Sequence, residues 1–392
     1  MDRIHRMRRP IPSILCIPVI PRRARARHTS RGRGAEQRGF SPHSSLNRYP
    51  VGCISPSPRS VVYSAIGVNA RVTPRGGRTP GKGSPMADFQ ITIVGLGATG
   101  TSLGLALRQA SKELTIVGHD KDPQAAAAAR KAGAVSRTDW NLPSACRGAS
   151  MVILALPLPA MRDTMAAIAE DLGEGCLVTD TAPLKAPVAA WAKELLPAHA
   201  TFVGGDPIGA RGQSGTPRAD LFGGTTYCLC PDPSTPPEAV ERAADLAMAV
   251  GGRPLYMDAA EHDGMVAALN QLPFLLGAAA LHTLSAGGSW RDLARLGGAR
   301  FDQLLATMGD SPGADLAAAA ANAENVGHWI DRMQRALDEM RALLVQDAAE
   351  AEATVKRWQS AREEWERRGE EPRTEPPDAG MSLRHLFLGG RR

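Results

Sequence analysis

Cysteine is sparse in this chain. Six residues in 392, Cys16, Cys53, Cys146, Cys176, Cys228 and Cys230, are scattered with no CxxC pair and no metal-ligand spacing. That argues against a metal site and suits a reducing cytoplasm. Cys228 and Cys230 alternate within a strand predicted over 225–230, so both face one side as buried thiols. No apolar run approaches the roughly 20 residues of a membrane-spanning helix, so no membrane partner is expected. Acids are nearly absent from residues 1–86, where only Asp2 and Glu36 stand against 17 Lys and Arg. The rest of the chain holds 29 of the 46 basic residues and 38 of the 40 acids. The formal net charge of +6 therefore comes from the N-terminal stretch. The body is acidic, which argues against a nucleic-acid partner. With 43% hydrophobic residues, the chain is long enough for one to three domains.

Residues 1–86 are rich in Arg, Pro, Ser and Gly without periodicity, and read as a disordered basic extension. A basic tail for acidic partners and an Arg-rich targeting segment are two readings of it. The third, preferred here, is that translation starts at Met86, four residues before the first strand.

What is present is a nucleotide-binding pattern. Gln90–Val94 is a short β-forming run, Gly95-x-Gly97-x-x-Gly100 follows at once, and Leu103, Leu105, Ala106 and Leu107 open a helical face. Gly95 permits the tight turn, Gly97 lets backbone approach a pyrophosphate, and Gly100 lets helix pack on strand. The helix N-terminus, with Leu96, Ala98 and Thr99 between the glycines, offers N–H groups to phosphates. A second strand ends at Asp120, 20 residues past Gly100, where an acid bonds the ribose 2′-hydroxyl and selects NAD over NADP.

Strands and helices then alternate. Strands are predicted at 133–135, 151–157, 176–180, 201–205, 225–230 and 253–257, with helices at 121–132, 160–172, 186–196 and 239–250. This alternation predicts a Rossmann-type, doubly wound, mostly parallel α/β sheet over 87–260. Leu156 and Pro157 close one strand at the sheet edge where cofactors bind. From 261 to 366 only helices are expected, beginning with a buried helix at 264–286 kinked by Pro273. One long seam then runs from Val326 to Trp358 with apolar residues four or three apart, as in a dimer interface or an intramolecular packing seam. Residues 367–392 read as a flexible tail.

The ordered series Gly95-Leu-Gly-x-x-Gly100, Gly118-His-Asp120, Ala155-Leu-Pro157, Asp180 with Lys185, Gly204-Gly205-x-Pro207, Glu261-His-Asp263, Leu272-Pro273 and Asn322-x-Glu-Asn325 resembles the prephenate/arogenate dehydrogenases. The resemblance implies a nucleotide-binding domain, a helical dimerisation domain and a cytoplasmic homodimer of tyrosine biosynthesis. It also implies hydride transfer from a cyclohexadienyl acid to NAD with loss of CO₂.

The departures fall on the chemistry. The family's His-Pro-x-Ala-Gly, whose His accepts the ring-hydroxyl proton, is here Asp206-Pro-Ile-Gly-Ala210. Pro183 replaces the family's Ser, Asn270-Gln-Leu-Pro-Phe274 replaces Ser-His-Leu-Pro-His, and Leu304 replaces a carboxylate-binding Arg, with Arg300 one turn earlier. Asp206 is the candidate catalytic base, although an ordinary aspartate near pKa 3.9 is a weak one. Its charge would also repel a dicarboxylate substrate. The alternative for Asp206 is a loop carboxylate capping backbone N–H groups. Lys185 is a candidate to hold an anionic substrate or to cap the sheet edge. His262 and Asp263 read as the start of a helix, with no catalytic role. Two other functions stay open: hydride transfer on a different hydroxy acid, and an NAD-binding dimer without catalysis.

Overall fold

The computed structural model describes residues 89–208, 215–345 and 348–367. The readings of residues 1–86 and of 368–392 lie outside them. The described chain opens with eight strands in one sheet, ordered β3-β2-β1-β4-β5-β6-β7-β8. They are β1 (Gln90–Val94), β2 (Thr115–His119), β3 (Arg137–Thr138), β4 (Ala149–Leu154), β5 (Leu177–Asp180), β6 (Thr201–Asp206), β7 (Thr226–Pro231) and β8 (Arg253–Tyr256). All pairs are parallel except β6 with β7. The order reverses between β1 and β4, which opens a crevice at their C-terminal ends.

The parallel strands are buried on both faces, which explains their continuous apolar runs. Ile91, Ile93, Met151 and Ile153 face one core with Leu103 and Leu107 of α1 (Ala98–Ala110). Val94, Val152, Leu154 and Val178 face the other, with Met161 and Met165 of α4 (Leu158–Ile168) and Val188 of α5 (Ala186–Leu195). Between these lie α2 (Pro123–Lys131) and the five-residue α3 (Leu142–Cys146), which the sequence reading left out. The third strand falls at Arg137–Thr138, later than predicted. Gly133, with φ +79°, turns the chain out of α2, and Ala134 and Val135 are a buried connector. Cys228 and Cys230 are buried as expected, on β7 before α6 (Pro237–Ala249). Burial also pushes the Cys146 and Cys176 thiols up to about 12 and about 11, so both are inert at neutral pH.

Beyond β8 the chain is helical: α7 (Ala259–Val266), a π turn (Ala267–Gln271), α8 (Leu272–Ser285), α9 (Trp290–Leu296), α10 (Ala299–Ala306) and α11 (Pro312–Ala321). The kink expected at Pro273 takes the form of the π turn just before it. Leu272 N donates five residues back to Ala267, and Pro273 has no N–H to continue the α-helical ladder. No run of spanning length was expected, yet the stretch 259–285 is long and apolar enough to cross a membrane by length and composition. It carries buried His262 and Asp263 and packs on α10 and α12 (Ala323–Leu343). Only 33% of its most apolar window is buried, and Met265 and Leu269 are exposed, so the buried helix expected at 264–286 is buried only in part. The expected single seam is two helices, α12 and α13 (Ala348–Arg367).

The helical half buries few apolar side chains of its own: Ala267, Ala319 and Val326 form its cluster, with Leu275, Trp329 and Ile330 against it. Leu337, Met340 and Trp358 remain about half exposed. A domain of this size needs a larger core than that to stand alone.

Candidate active site

The glycine turn is built as its spacing requires. Gly95 has φ +94°, and a Cβ there would lie 2.3 Å from the Ala155 carbonyl oxygen and 2.9 Å from Leu156. A Cβ at Gly100 would lie 1.9 Å from the Gly95 oxygen, so only glycine lets α1 close on β1. A Cβ at Gly97 would meet nothing within 4 Å, so this residue faces open space at the first turn of α1. Gly97 caps α1 without a side chain, and half-buried Ala98 and Thr99 follow it. The first N–H groups of α1 therefore have no side-chain acceptor. Asp120 stands beside the turn: its Oδ2 accepts from Leu96 N at 2.7 Å and its Oδ1 from Asp122 N at 2.8 Å. Leu156 abuts Gly95, and exposed Pro157 leads into α4. All the candidate cofactor residues thus meet at the crevice between β1 and β4. The open backbone, the helix N-terminus and the acid after β2 fit a dinucleotide.

Lys185 and Asp206 lie farther along the same sheet edge, and neither is exposed. The Lys185 ammonium is paired with Asp180 and donates to the Gly205 carbonyl at 2.6 Å. Asp180 also accepts from Ala182 N at 2.9 Å and Gly205 N at 3.1 Å. Burial holds the Asp180 carboxyl above its usual range, with Lys185 opposing the shift. Lys185 therefore braces β5 against β6 next to Asp206.

Asp206 Oδ2 lies 3.0 Å from His262 Nε2, and His262 Nδ1 lies 2.9 Å from Asp263 Oδ1. His262 and Asp263 were expected to start a helix, but α7 begins three residues earlier, at Ala259, where Asp258 caps it by accepting from Ala260 N and Glu261 N; the pair lies one turn in and faces the sheet edge. Asp263 accepts from Lys185 N at 2.7 Å and from Ala186 N at 2.9 Å, so it caps α5. Its main-chain oxygen accepts from Asn322 Nδ2 at 2.9 Å. One acid thereby ties α7 to both halves of the molecule. Sequence reasoning missed His262, because its partner is a strand residue 56 positions away. The available signal was the Glu261-His262-Asp263 run ahead of a long apolar stretch.

The remaining substituted positions are quiet. Pro183 offers no donor. Leu304 is half-buried on α10, and Arg300 is exposed on a groove of α8–α10 that no sheet residue lines. Gln271 is buried in the π turn, where Asn322 Nδ2 donates to its Oε1 at 2.8 Å while its Nε2 has no partner among the described residues.

Burial opposes charge on His262, but the bonds from Asp206 and Asp263 outweigh it and hold the imidazole above its ordinary value. A folded-state value above the unfolded one of about 6.5 adds stability that is complete below that pH. The contribution is lost as pH rises through the folded value. Asp180, also raised, has the same sign but begins from the carboxylate range. Denaturant unfolding is therefore expected to need less urea at pH ~9 than at pH ~6, with the slope reduced in His262→Gln. An equal slope in both proteins would refute this contribution of His262.

The fold and site define a Rossmann-type α/β protein with a cleft that fits a dinucleotide, followed by an all-helical part. The family description "Prephenate dehydrogenase, nucleotide-binding domain" matches residues 103–256, and "Prephenate dehydrogenase, dimerization domain" matches 258–357. The chain belongs to the prephenate/arogenate dehydrogenase family. It is 26% identical over 264 residues to the prephenate dehydrogenase of Bacillus subtilis, covering 66% of this chain and 71% of that protein. It is 30% identical over 188 residues to the cyclohexadienyl dehydrogenase of Zymomonas mobilis, covering 47% and 64%. The A. aeolicus prephenate dehydrogenase, solved with hydroxyphenyl propionate and NAD⁺, has a TM-score of 0.66 at 24% identity, covering 72% of this chain and 99% of that one. The Synechocystis arogenate dehydrogenase gives 0.61 at 22%, covering 71% and 100%. At these identities the two structures establish the fold.

Proposed function

We propose that the protein is an NAD-dependent dehydrogenase of a cyclohexadienyl acid of the prephenate or arogenate type, acting in tyrosine biosynthesis. The observation that carries this reading is the position of Asp206. It occupies the family's base position at the end of β6 and is hydrogen-bonded to an imidazole. NAD, when bound, supplies the hydride acceptor. Gly97 and the N-terminus of α1 would hold the diphosphate, and Asp120 would take the ribose 2′-hydroxyl, which favours NAD over NADP. Leu156 and Pro157 border the cofactor. Asp206 accepts the proton of the ring hydroxyl, and Lys185 fixes the Gly205 carbonyl immediately before it. The uncovered apolar face of α12 and α13 supports a homodimer through these helices.

A second reading rests on the same substitutions: Asp206, Pro183 and Leu304 stand where the family keeps His, Ser and Arg. It makes the chain an NAD-binding dimer without turnover. Incubating the full chain with NAD and either prephenate or arogenate separates the two. The proposal expects absorbance of reduced nicotinamide to grow with one of these acids. NAD binding without reduction on either acid would overturn it in favour of the second reading.

A further inference from the structure

His262 is buried with no exposed surface, and the reading above gives it no task. Both its ring nitrogens meet carboxylates, Asp206 at Nε2 and Asp263 at Nδ1. The two sides are not equivalent. Asp263 is already committed to the first turn of α5 through Lys185 N and Ala186 N, so it stays a carboxylate and accepts from Nδ1 in the tautomer on which the inference is built, the one that carries the hydrogen of the neutral ring there. Nε2 is then the nitrogen that can gain or lose a proton, and it faces Asp206. With Nε2 bare, two lone pairs oppose each other across 3.0 Å, and a proton delivered to Asp206 relieves the opposition.

We infer that His262 is the positioning residue that makes Asp206 a competent base, storing at Nε2 the proton Asp206 takes from the substrate hydroxyl. The inference rests on the proposed function. In the step, the O–H bond breaks and its proton passes to Asp206 and on to Nε2. The carbinol carbon loses its hydrogen with both electrons to the nicotinamide, and a C=O bond forms. When the ring carboxylate leaves as CO₂, the electron pair of its bond returns to the ring oxygen. The stored proton then goes back to that oxygen, so the pair is reset.

The arrangement also answers the repulsion expected between Asp206 and a dicarboxylate. Loaded, the Asp206–His262 pair is neutral; empty, it carries one negative charge. The other groups packed around the pair are Asp263 on the same helix, the Lys185–Asp180 ion pair between β5 and β6, and Tyr227, Cys228 and Cys230 on β7. Lys185 disfavours the imidazolium and Asp206 favours it. Burial raises the Tyr227 and Cys230 groups, which stay neutral. The empty pair accepts protons and the loaded pair tolerates substrate anions. Both kcat and KM are therefore expected to rise with pH across one titration above about 6.5.

The test measures kcat and KM against pH for the full chain and for His262→Gln. Loss of about a hundredfold or more in kcat, with the rising limb abolished, supports the inference. A His262→Gln enzyme that keeps the wild-type pH profile overturns it. Because His262→Gln can fail to fold, Asp206→Asn supplies a second readout, the NMR titration of the His262 ring protons. A titration above the ordinary value that falls in Asp206→Asn supports the pairing; one unmoved by the substitution overturns it. If wild type reduces no NAD with prephenate or arogenate, the functional reading falls, and the NMR titration alone decides the pairing.

Discussion

Lys185→Met is expected to destabilise the protein by about 3–5 kcal/mol, the usual cost of removing one member of a buried ion pair. Asp180 is fully buried, and its carboxylate is left with only the Ala182 and Gly205 N–H groups once the ammonium is gone. The methionine fills most of the lysine stem's volume, so the loss reports charge rather than a cavity. The Gly205 carbonyl, which accepts from Lys185 at 2.6 Å, also loses its donor. Asp206 follows directly, so activity should fall with stability. Adding Asp180→Asn should recover much of the loss, since an amide needs no counter-charge. Urea unfolding of wild type, single and double variants measures both effects. A single variant within about 0.5 kcal/mol of wild type would show that the pair does not brace these strands.

The nucleotide half was legible because its signals are local. Ile91 and Ile93 point to a strand, three glycines fix a turn, and Asp120 lies one strand away. The pattern from Gly95 to Asp120 lies within one β-α-β unit, even though Ala155 and Leu156 of a later strand complete the crevice. The third strand was misplaced because it pairs only Arg137 and Thr138 with β2, too short a run for any periodicity to register. The C-terminal seam was read as one run although its alternation breaks at Leu344, with Met340, Leu344 and Ala348 four and four apart, and there α12 ends at Leu343 and α13 begins at Ala348. The site was less legible than the fold. Asp206 alone reads as a poor base, and His262 alone reads as the opening of a helix. Their chemistry arises only when β6 and α7 meet, and that contact is set by Asp263 capping α5. Lys185 shows the same limit: a lone cation at a sheet edge suggests an anion site until Asp180 is seen to consume it.

Gly97→Val is expected to weaken NAD binding by roughly a hundredfold, about 2.7 kcal/mol, while leaving the fold intact. Gly97 has φ −66° and ψ −168°, extended geometry open to any residue, and a Cβ there meets no protein atom within 4 Å. Nothing in the protein resists the side chain, so unfolding should be unchanged within about 0.5 kcal/mol. The new methyl groups would occupy the space in which a diphosphate meets the first N–H groups of α1. Gly100→Val is the contrast. Its Cβ would lie 1.9 Å from the Gly95 oxygen, so α1 must move off β1 and stability should fall together with binding. Calorimetric titration with NAD and urea unfolding, run on both variants, distinguish the two mechanisms. Unaltered NAD affinity in a folded Gly97→Val protein would mean that the diphosphate lies elsewhere, and the assignment of this turn to the cofactor would be wrong.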